Sequence, residues 1–262
     1  MILEKGFIVP RAKIVENFSR YAHLYDKYAD VQNKTALALA DLLKKNNFFK
    51  ILELGCGTGN YTLMLRDRFK DAQIKSLDIS GEMIGVARHK LAHKKIEFIV
   101  ADAQKIDLDD TFDLVTSNAC FQWLNNLEPA LQGYAKLLRK AGVICFSIFG
   151  PQTFCELNTA LKMLLQENRP TAIFFPDRKR LEMMLKNNFK SIKINEISYQ
   201  ENFINLKQLL EKIKYSGIRG NGLSKKVYFS RGLLERLEKT YLDKFQKICV
   251  TYQVFFCQGV KR

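Results

Sequence analysis

Several features that would assign this chain to a special class are scarce or missing. Its 262 residues include only five prolines, three histidines and one tryptophan, and none of its six cysteines forms a CxxC pair. Protein metal sites usually draw on closely spaced cysteines and histidines, so the sequence predicts no metal ion. We interpret the cysteines as buried thiols of a protein that works in a reducing cytoplasm.

The chain also has little continuous apolar sequence. Residues 1–11 contain Glu4, Lys5 and Arg11, which interrupt the apolar core that a signal peptide requires. The uncharged stretch over residues 141–155 contains glycine, proline and glutamine. It is also shorter than the ~20 apolar residues that span a bilayer. We therefore expect a cytoplasmic protein with no membrane partner.

What the chain does have is enough apolar sequence for one large domain, together with a strong positive charge. Hydrophobic residues make up 47% of the sequence, and the formal net charge is +15. Residues 1–150 contain 21 basic and 17 acidic side chains, whereas residues 151–262 contain 21 and 10. The C-terminal part should therefore attract an anionic partner, although the charge alone is equally compatible with general solubility.

The pattern of apolar residues predicts an α/β fold. Residues 12–45 have helical spacing, and after them short β-rich runs alternate with helical stretches. Strands separated by helices indicate parallel βαβ units. The predicted strands are 50–55, 74–80, 96–102, 112–118 and 142–150, and the predicted helices between them are 60–69, 81–93 and 127–139.

After residue 150 the pattern becomes more helical, up to about residue 187. Two further β-rich runs, 191–203 and 248–260, flank a helical insert at about 204–247. An antiparallel hairpin at the edge of the sheet would accommodate both runs, although the insert leaves their pairing open.

The strongest local motif lies where the first strand meets the next helix. Residues 52–59 read Leu-Glu-Leu-Gly-Cys-Gly-Thr-Gly, and glycines at such a turn let the backbone approach a ligand closely. A dinucleotide fingerprint needs a third glycine at position 60, where Asn60 stands instead. The GxGxG spacing after an acidic residue resembles motif I of class I S-adenosylmethionine-dependent methyltransferases.

This resemblance implies a Rossmann-like sheet that binds S-adenosylmethionine and releases S-adenosylhomocysteine. Asp78, at the end of the second strand, matches the acid that binds the ribose. Each matching residue also has a structural explanation, such as a helix cap or a turn. The implied cofactor-binding residues are Glu53, Gly55, Gly57, Gly59, Asp78, Ile79, Met83, Asp102, Ala103 and Asn118.

The chain further resembles the malonyl-acyl-carrier-protein O-methyltransferase family of biotin synthesis over nearly its whole length. The matching segments include Tyr25-Asp26, Gln122-Trp123, residues 146–157, residues 210–222 and residues 251–256. The resemblance implies a single methyltransferase domain over residues 1–262. Within it we expect a helical lid at 1–45, a cofactor-binding half at 46–150 and a half for substrate and carrier protein at 151–262.

The family's reaction methylates the free carboxylate of a malonyl thioester, giving the ester that primes pimeloyl synthesis. A carboxylate is already ionised at neutral pH, so no general base is needed. We expect Tyr21 and Tyr25, four residues apart on one helix face, to orient the substrate, unless both only pack the helix on the sheet. The other expected substrate-binding residues are Gln122, Trp123, Arg178 and Arg219.

Acyl carrier protein is the implied partner, and its acidic surface suits the basic C-terminal part of the chain. The expected docking residues are Arg180, Lys212, Lys214, Lys225 and Lys226. Two alternatives remain open at this point: a carboxyl methyltransferase that acts on a small free acid of the trans-aconitate type, and a non-catalytic assembly factor with a methyltransferase fold. No nucleic-acid partner is expected, because the sequence shows no added RNA-binding module.

Overall fold

The computed structural model of the chain describes residues 10–44, 46–165, 171–216 and 230–262. Seven strands form one sheet in the order β3-β2-β1-β4-β5-β7-β6. The strands are β1 Lys50–Leu54, β2 Gln73–Asp78, β3 Ile96–Val100, β4 Phe112–Asn118, β5 Leu138–Phe149, β6 Phe189–Phe203 and β7 Ile248–Lys261. The Rossmann-like sheet predicted from the sequence is thereby confirmed.

The first five strands run parallel, and their order sets the position of the site. β1 pairs with β2 on one side and with β4 on the other. The chain therefore builds outward from β1 through β2 to β3, and then returns to the other side of β1. Open α/β sheets bind ligands at such a reversal, beyond the carboxyl ends of the strands.

The last two strands form the predicted antiparallel hairpin at the sheet edge. β7 pairs antiparallel with both β5 and β6, so β6 is the outermost strand. The described residues between β6 and β7 include the helices α9 Leu206–Tyr215 and α10 Arg231–Phe245, which lie within the expected helical insert. The hairpin partners thus lie far apart in sequence, which is why their pairing stayed open at the sequence level.

Helices cover the sheet, and four of the described α-helices start at a residue whose side chain caps them. Ser80 accepts a hydrogen bond from the Met83 amide at the start of helix α5 (Gly81–Lys90), and Asp177 accepts one from the Arg180 amide at the start of helix α8 (Arg178–Lys186). The apolar faces of these helices meet the buried strands in two core clusters. The helices from α4 to α8 are α4 Asn60–Arg68, α5 Gly81–Lys90, α6 Leu127–Leu137, α7 Cys155–Leu165 and α8 Arg178–Lys186.

The N-terminal region is helical but interrupted, which corrects the expectation of helical structure throughout residues 12–45. It consists of α1 Arg11–Arg20, a 3₁₀ turn at Ala22–Leu24, α2 Tyr25–Tyr28 and α3 Asp30–Leu42. Tyr21 and Ala29 leave the helical conformation, with φ/ψ of −120°/18° and −94°/33°. Contacts with other parts of the fold, described below, hold these pieces in place.

In the described parts of the chain, no helix is long and apolar enough to cross a membrane. The same residues contain no group of three or more histidine, cysteine, aspartate or glutamate side chains placed to hold a metal ion.

Candidate active site

A cavity opens at the carboxyl ends of β1, β2 and β4, beneath the N-terminal helices. Gly55 and Gly57 of the motif I loop line one wall, and Asp78 and Asn118 end the two flanking strands there. Ile14 and Phe18 of α1 face it from above. The cavity therefore coincides with the reversal of strand order, where the sequence places its cofactor motif.

The motif I loop needs glycine at two positions for different reasons. Gly55 has φ +73°, and a Cβ there would lie 2.3 Å from the Cys120 sulfur. Gly59 has φ +84°, and a Cβ there would lie 3.2 Å from that of Ala87 in α5. Gly55 thus permits the loop to pass Cys120, just after β4, whereas Gly59 permits packing against α5 and does not line the cavity.

Asp78 is fixed by backbone amides at the cavity wall. Its Oδ2 accepts a hydrogen bond from the Gly57 amide and its Oδ1 accepts one from the Ser80 amide, both at 2.9 Å. Burial raises the pKa of Asp78, and these amide hydrogen bonds act in the opposite direction. Each carboxylate oxygen keeps a second lone pair, so Asp78 can still accept hydrogen bonds from a diol.

Glu53 lies beneath the loop and does not line the cavity, which differs from its expected cofactor contact. Its side chain is buried, and its Oε2 accepts hydrogen bonds from the hydroxyls of Thr62 and Ser76, both at 2.7 Å. Burial raises the pKa of Glu53 to about 7. This acid ties α4 to β2 and thereby supports the loop from below.

The end of the cavity nearest β3 is apolar with one acidic side chain at its margin. Ile79, Met83 and Ala103, which are expected to contact the cofactor, line this end. Asp102 stands behind Ala103 without lining the cavity, and its Oδ1 accepts a hydrogen bond from the Gln104 amide at 2.7 Å.

Asn118 is held rigidly by its neighbours. Its Oδ1 accepts hydrogen bonds from the hydroxyls of Thr35 at 2.9 Å and Ser147 at 2.7 Å. Its Nδ2 donates to the Gln32 carbonyl at 3.0 Å. One N–H of the amide is left for a ligand in the cavity.

The two tyrosines expected on one helix face lie in different environments, which corrects that geometry. Tyr25 lines the cavity, whereas Tyr21, where α1 ends, packs edge-on against Tyr215 with 5.0 Å between ring centroids. Among the described residues, none places a hydrogen-bonding atom on the Tyr25 hydroxyl. Burial raises the pKa of Tyr25, so its hydroxyl is a donor at neutral pH.

The expected substrate-binding residues also lie in different places, and only one of those described lines the cavity. Trp123 lines the cavity and packs against Phe175 with 5.8 Å between ring centroids. Gln122 donates to the Ala119 carbonyl at 2.6 Å, and its buried Oε1 has no partner in the described structure. Arg178 is exposed at the start of α8 and does not line the cavity, and Arg219 lies outside the described residues.

One of the expected docking residues is excluded by its burial. Lys212 is 7% exposed, and its ammonium group contacts the carboxylates of Asp30 and, at 3.1 Å, Glu201. A buried, doubly paired lysine cannot attract a partner protein. Lys214 is half-buried beside Tyr215, which raises its pKa through a hydrogen bond, and Arg180 is exposed. Lys225 and Lys226 lie outside the described residues.

Sequence reasoning missed the N-terminal side chains that face or hold the site. Arg11, Ile14 and Phe18 line the cavity from one face of α1, at spacings of three and four residues. The sequence shows this helical spacing, but it does not show that this face of the helix points toward the cavity. Asp26 of α2 accepts hydrogen bonds from Thr58 at 2.5 Å and Asn60 at 3.0 Å, tying the N-terminal helices to the motif I loop.

Comparison with known proteins identifies the family. Residues 52–146 match the model of a methyltransferase domain. The chain is 32% identical to the malonyl-[acyl-carrier protein] O-methyltransferase of Acetivibrio thermocellus, covering 94% of this chain and 92% of that protein. It is 35% identical to malonyl-[acyl-carrier protein] O-methyltransferase 1 of Ilyobacter polytropus, covering 91% and 89%. The chain belongs to the malonyl-[acyl-carrier protein] O-methyltransferase family. The resemblance found in the sequence is therefore confirmed.

Solved structures support the fold of this methyltransferase family member. The YcgJ protein from Bacillus subtilis has a TM-score of 0.59 at 15% identity, covering 87% of this chain and 98% of that one. A Haemonchus contortus phosphoethanolamine N-methyltransferase, solved with S-adenosylhomocysteine, has a TM-score of 0.61 at 17% identity, covering 95% and 60%.

Proposed function

We propose that this chain transfers a methyl group from S-adenosylmethionine to the free carboxylate of a malonyl thioester on acyl carrier protein. The supporting observation is a cavity at the motif I loop that combines a fixed acid, an apolar end and a neutral donor, Asp78, Met83 and Tyr25. The product is a malonyl methyl ester, the primer for the pimeloyl chain of biotin.

The residues present fit the cofactor. Asp78 offers acceptors for the two ribose hydroxyls, and the apolar end at Ile79 and Met83 suits the adenine ring. A Cβ on Gly57 would meet nothing within 4 Å, so the loop borders open space where the methionine part belongs. S-Adenosylmethionine, when bound, supplies a methyl group on a positively charged sulfur that a carboxylate oxygen can displace.

The chemistry of the cavity suits a nucleophile that arrives already ionised. The titratable donors near Asn118 are Tyr25 and Cys120, and burial raises the pKa of both, that of Cys120 to about 12. Neither is a base at neutral pH, whereas an alcohol or an ammonium acceptor would require one. A malonyl carboxylate with an ordinary pKa near ~4 requires only orientation.

We assign the orienting role to Tyr25 and the wall beside it to Trp123. The Tyr25 hydroxyl donates a hydrogen bond to one carboxylate oxygen, which leaves the other oxygen free to react. In the described residues, no unpaired cation lines the cavity. A neutral donor suits catalysis, because a direct ion pair would withdraw charge from the attacking oxygen.

The partner proposal rests on α8 rather than on Lys212. Arg178, Lys179 and Arg180 are exposed in the first turn of this helix, shortly after Phe175. Phe175 packs on Trp123, so α8 begins close to the wall of the cavity. We propose that this basic turn receives the acidic surface of acyl carrier protein.

The test is an acceptor assay with purified protein and methyl-labelled S-adenosylmethionine. Malonyl-acyl-carrier protein, malonyl-coenzyme A and trans-aconitate compete as acceptors in one reaction. Label on the carrier protein that mild base releases as methanol establishes a carboxyl methyl ester. Label on trans-aconitate alone would replace the proposal with a small-acid enzyme. Absence of label despite cofactor binding would point to an assembly factor.

A further inference from the structure

Arg11 is a cation at the cofactor cavity that no motif accounts for. It is the first residue of α1 and, within the described chain, the one cationic side chain that lines the cavity. One of its terminal nitrogens, Nη1, donates to Gln104 Oε1 at 2.8 Å, and the other, Nη2, is ion-paired with Asp102 Oδ1. The side chain is 29% exposed, so solvent screens this pair only in part.

The position of Arg11 is fixed from two sides. Gln104 Oε1 also accepts a hydrogen bond from the Asn125 amide at 2.9 Å, so the acceptor of Arg11 is itself held. At the other end of α1, the Ser19 hydroxyl hydrogen-bonds that of Ser80 at 2.9 Å. The helix therefore spans the cavity from the end of β2 to the end of β3.

The cavity end beside Arg11 has the features of a site for an amino-substituted ring. Ile79, Met83 and Leu124 give it apolar surfaces, which favour a flat heteroaromatic base. Asp102 Oδ1 is occupied by Arg11 and the Gln104 amide. In the described structure no donor lies on Asp102 Oδ2, which leaves that oxygen as an acceptor at the margin of the base site.

We infer that Arg11 is a positioning residue for cofactor selectivity: it orients the carboxylate of Asp102 so that Oδ2 accepts a hydrogen bond from the 6-amino group of the purine. A 6-oxo purine presents an acceptor at that place and would face the carboxylate oxygen with another lone pair. This inference rests on the cofactor named in the proposed function, and it adds a residue from the N-terminal helix to the recognition of the base.

The test measures binding rather than turnover. Calorimetry compares S-adenosylhomocysteine with its deaminated analogue, S-inosylhomocysteine, on the full-length wild-type chain and on the Arg11→Met and Arg11→Lys variants. Arg20→Met is the matched control, because Arg20 lies on the same helix and pairs with Glu16 on an exposed surface. Thermal melts without ligand show whether each variant is folded.

We expect Arg11→Met to weaken S-adenosylhomocysteine binding by about tenfold or more, the range of a charge-assisted hydrogen bond, and to change binding of the inosyl analogue by less than about threefold. The wild-type preference for the amino purine should therefore fall. Arg11→Lys should recover part of the preference, and Arg20→Met should keep all of it.

Two results would overturn the inference. Equal weakening of both ligands by Arg11→Met would show that Arg11 only closes the cavity. An unchanged preference for S-adenosylhomocysteine over the inosyl analogue would show that Arg11 does not orient the Asp102 carboxylate. If the wild-type chain bound neither ligand, the cofactor assignment of the proposed function would fail first, which separates that failure from the failure of the inference.

Discussion

Tyr25 and Tyr21 are the same residue type four positions apart, but they lie in different surroundings. Tyr25 lines the cavity, whereas Tyr21 packs on Tyr215 and lies beside the ammonium group of Lys214. We expect Tyr25→Phe to lower kcat with malonyl-acyl-carrier protein by about 10- to 100-fold, because one hydrogen bond to a charged group is lost. Affinity for S-adenosylhomocysteine should stay unchanged, as calorimetry would show.

Tyr21→Phe is the matched control, because it removes the same atom outside the cavity. We expect its kcat to stay within about threefold of the wild-type value, by the usual size of a single exposed hydrogen bond. Equal loss of activity in both variants would contradict the assignment of the orienting hydroxyl to Tyr25.

Glu53 makes stability depend on pH. Its pKa is raised from 4.5 to about 7 in the folded state, so the folded chain holds this proton where the unfolded chain has lost it. This contribution is fully present below pH 4.5 and is lost as the pH rises through about 7, with a size of about 3 kcal/mol. Urea unfolding at several pH values measures it.

Glu53→Gln provides the comparison, because its amide oxygen can still accept hydrogen bonds from Thr62 and Ser76. The free energy of unfolding of this variant, relative to that of the wild type, should increase between pH 5 and pH 8. A difference that is constant over this range would mean that Glu53 titrates normally.

A substitution at Gly55 tests how closely the motif I loop approaches Cys120, just after β4. Gly55→Ala places a Cβ 2.3 Å from the Cys120 sulfur in a backbone with φ +73°. We expect about 2–4 kcal/mol of lost stability and loss of measurable S-adenosylhomocysteine binding. Chemical unfolding and calorimetry check the two effects.

Gly85→Ala is the control, since a Cβ at Gly85 in α5 would meet nothing within 4 Å. This variant should gain about 0.5–1 kcal/mol from helix propensity. A tolerated Gly55→Ala would show that the loop can move away from Cys120.

At the scale of elements, Lys212 joins three parts of the chain. From α9 it contacts Asp30 at the start of α3 and Glu201 in β6, whose side chain is 11% exposed. Lys212→Met would leave Glu201 buried without its cation. We expect a loss of about 3 kcal/mol in the free energy of unfolding, measured by denaturant titration.

Lys207→Met is the control on the same helix, because Lys207 is exposed. Its effect should stay within about 0.5 kcal/mol. The double variant Glu201→Gln, Lys212→Met should recover part of the loss, since it buries no unpaired charge. No recovery would mean that Lys212 acts through its packing rather than its charge.

The secondary-structure elements also show which features of the fold the sequence pattern can predict. The strands at 50–54, 73–78, 96–100 and 112–118 lie where the alternation placed them, because a buried parallel strand carries its own apolar signature. The breaks at Tyr21 and Ala29 had no such signature. They lie beside contacts of Tyr21 with Tyr215 and of Asp26 with Thr58, which belong to other parts of the chain.

At the scale of the whole molecule, the excess positive charge of residues 151–262 includes an exposed run of three consecutive basic residues. Arg178, Lys179 and Arg180 occupy the first turn of α8, where the helix dipole disfavours cations and the capping Asp177 is the adjoining acid. An electrostatically unfavourable placement of three exposed cations is consistent with a role in binding an acidic partner. Reversing all three to glutamate should raise the KM for malonyl-acyl-carrier protein by about tenfold at low salt, with kcat little changed.

The matched control reverses three exposed lysines at the amino ends of strands, Lys70, Lys95 and Lys140, with the same change in net charge. Steady-state kinetics over a range of salt compares the two variants, and malonyl-coenzyme A serves as a substrate without a protein surface. If the α8 variant kept a wild-type KM at every salt concentration, docking on α8 would be wrong.

Short-range signals were enough to place the parallel strands, the motif I loop, Asp78 and the family, because strand alternation, turn glycines and motif spacing are encoded by neighbouring residues. The roles of Tyr25, Arg11 and Lys212 depended on folding. Each of these side chains gains its surroundings from segments distant in sequence: the cavity at the ends of β1 and β4 for Tyr25, Asp102 after β3 for Arg11, and Asp30 of α3 for Lys212. Such contacts decide whether a lysine is a free surface charge or part of a buried ion pair, and neighbouring residues in the sequence do not encode them.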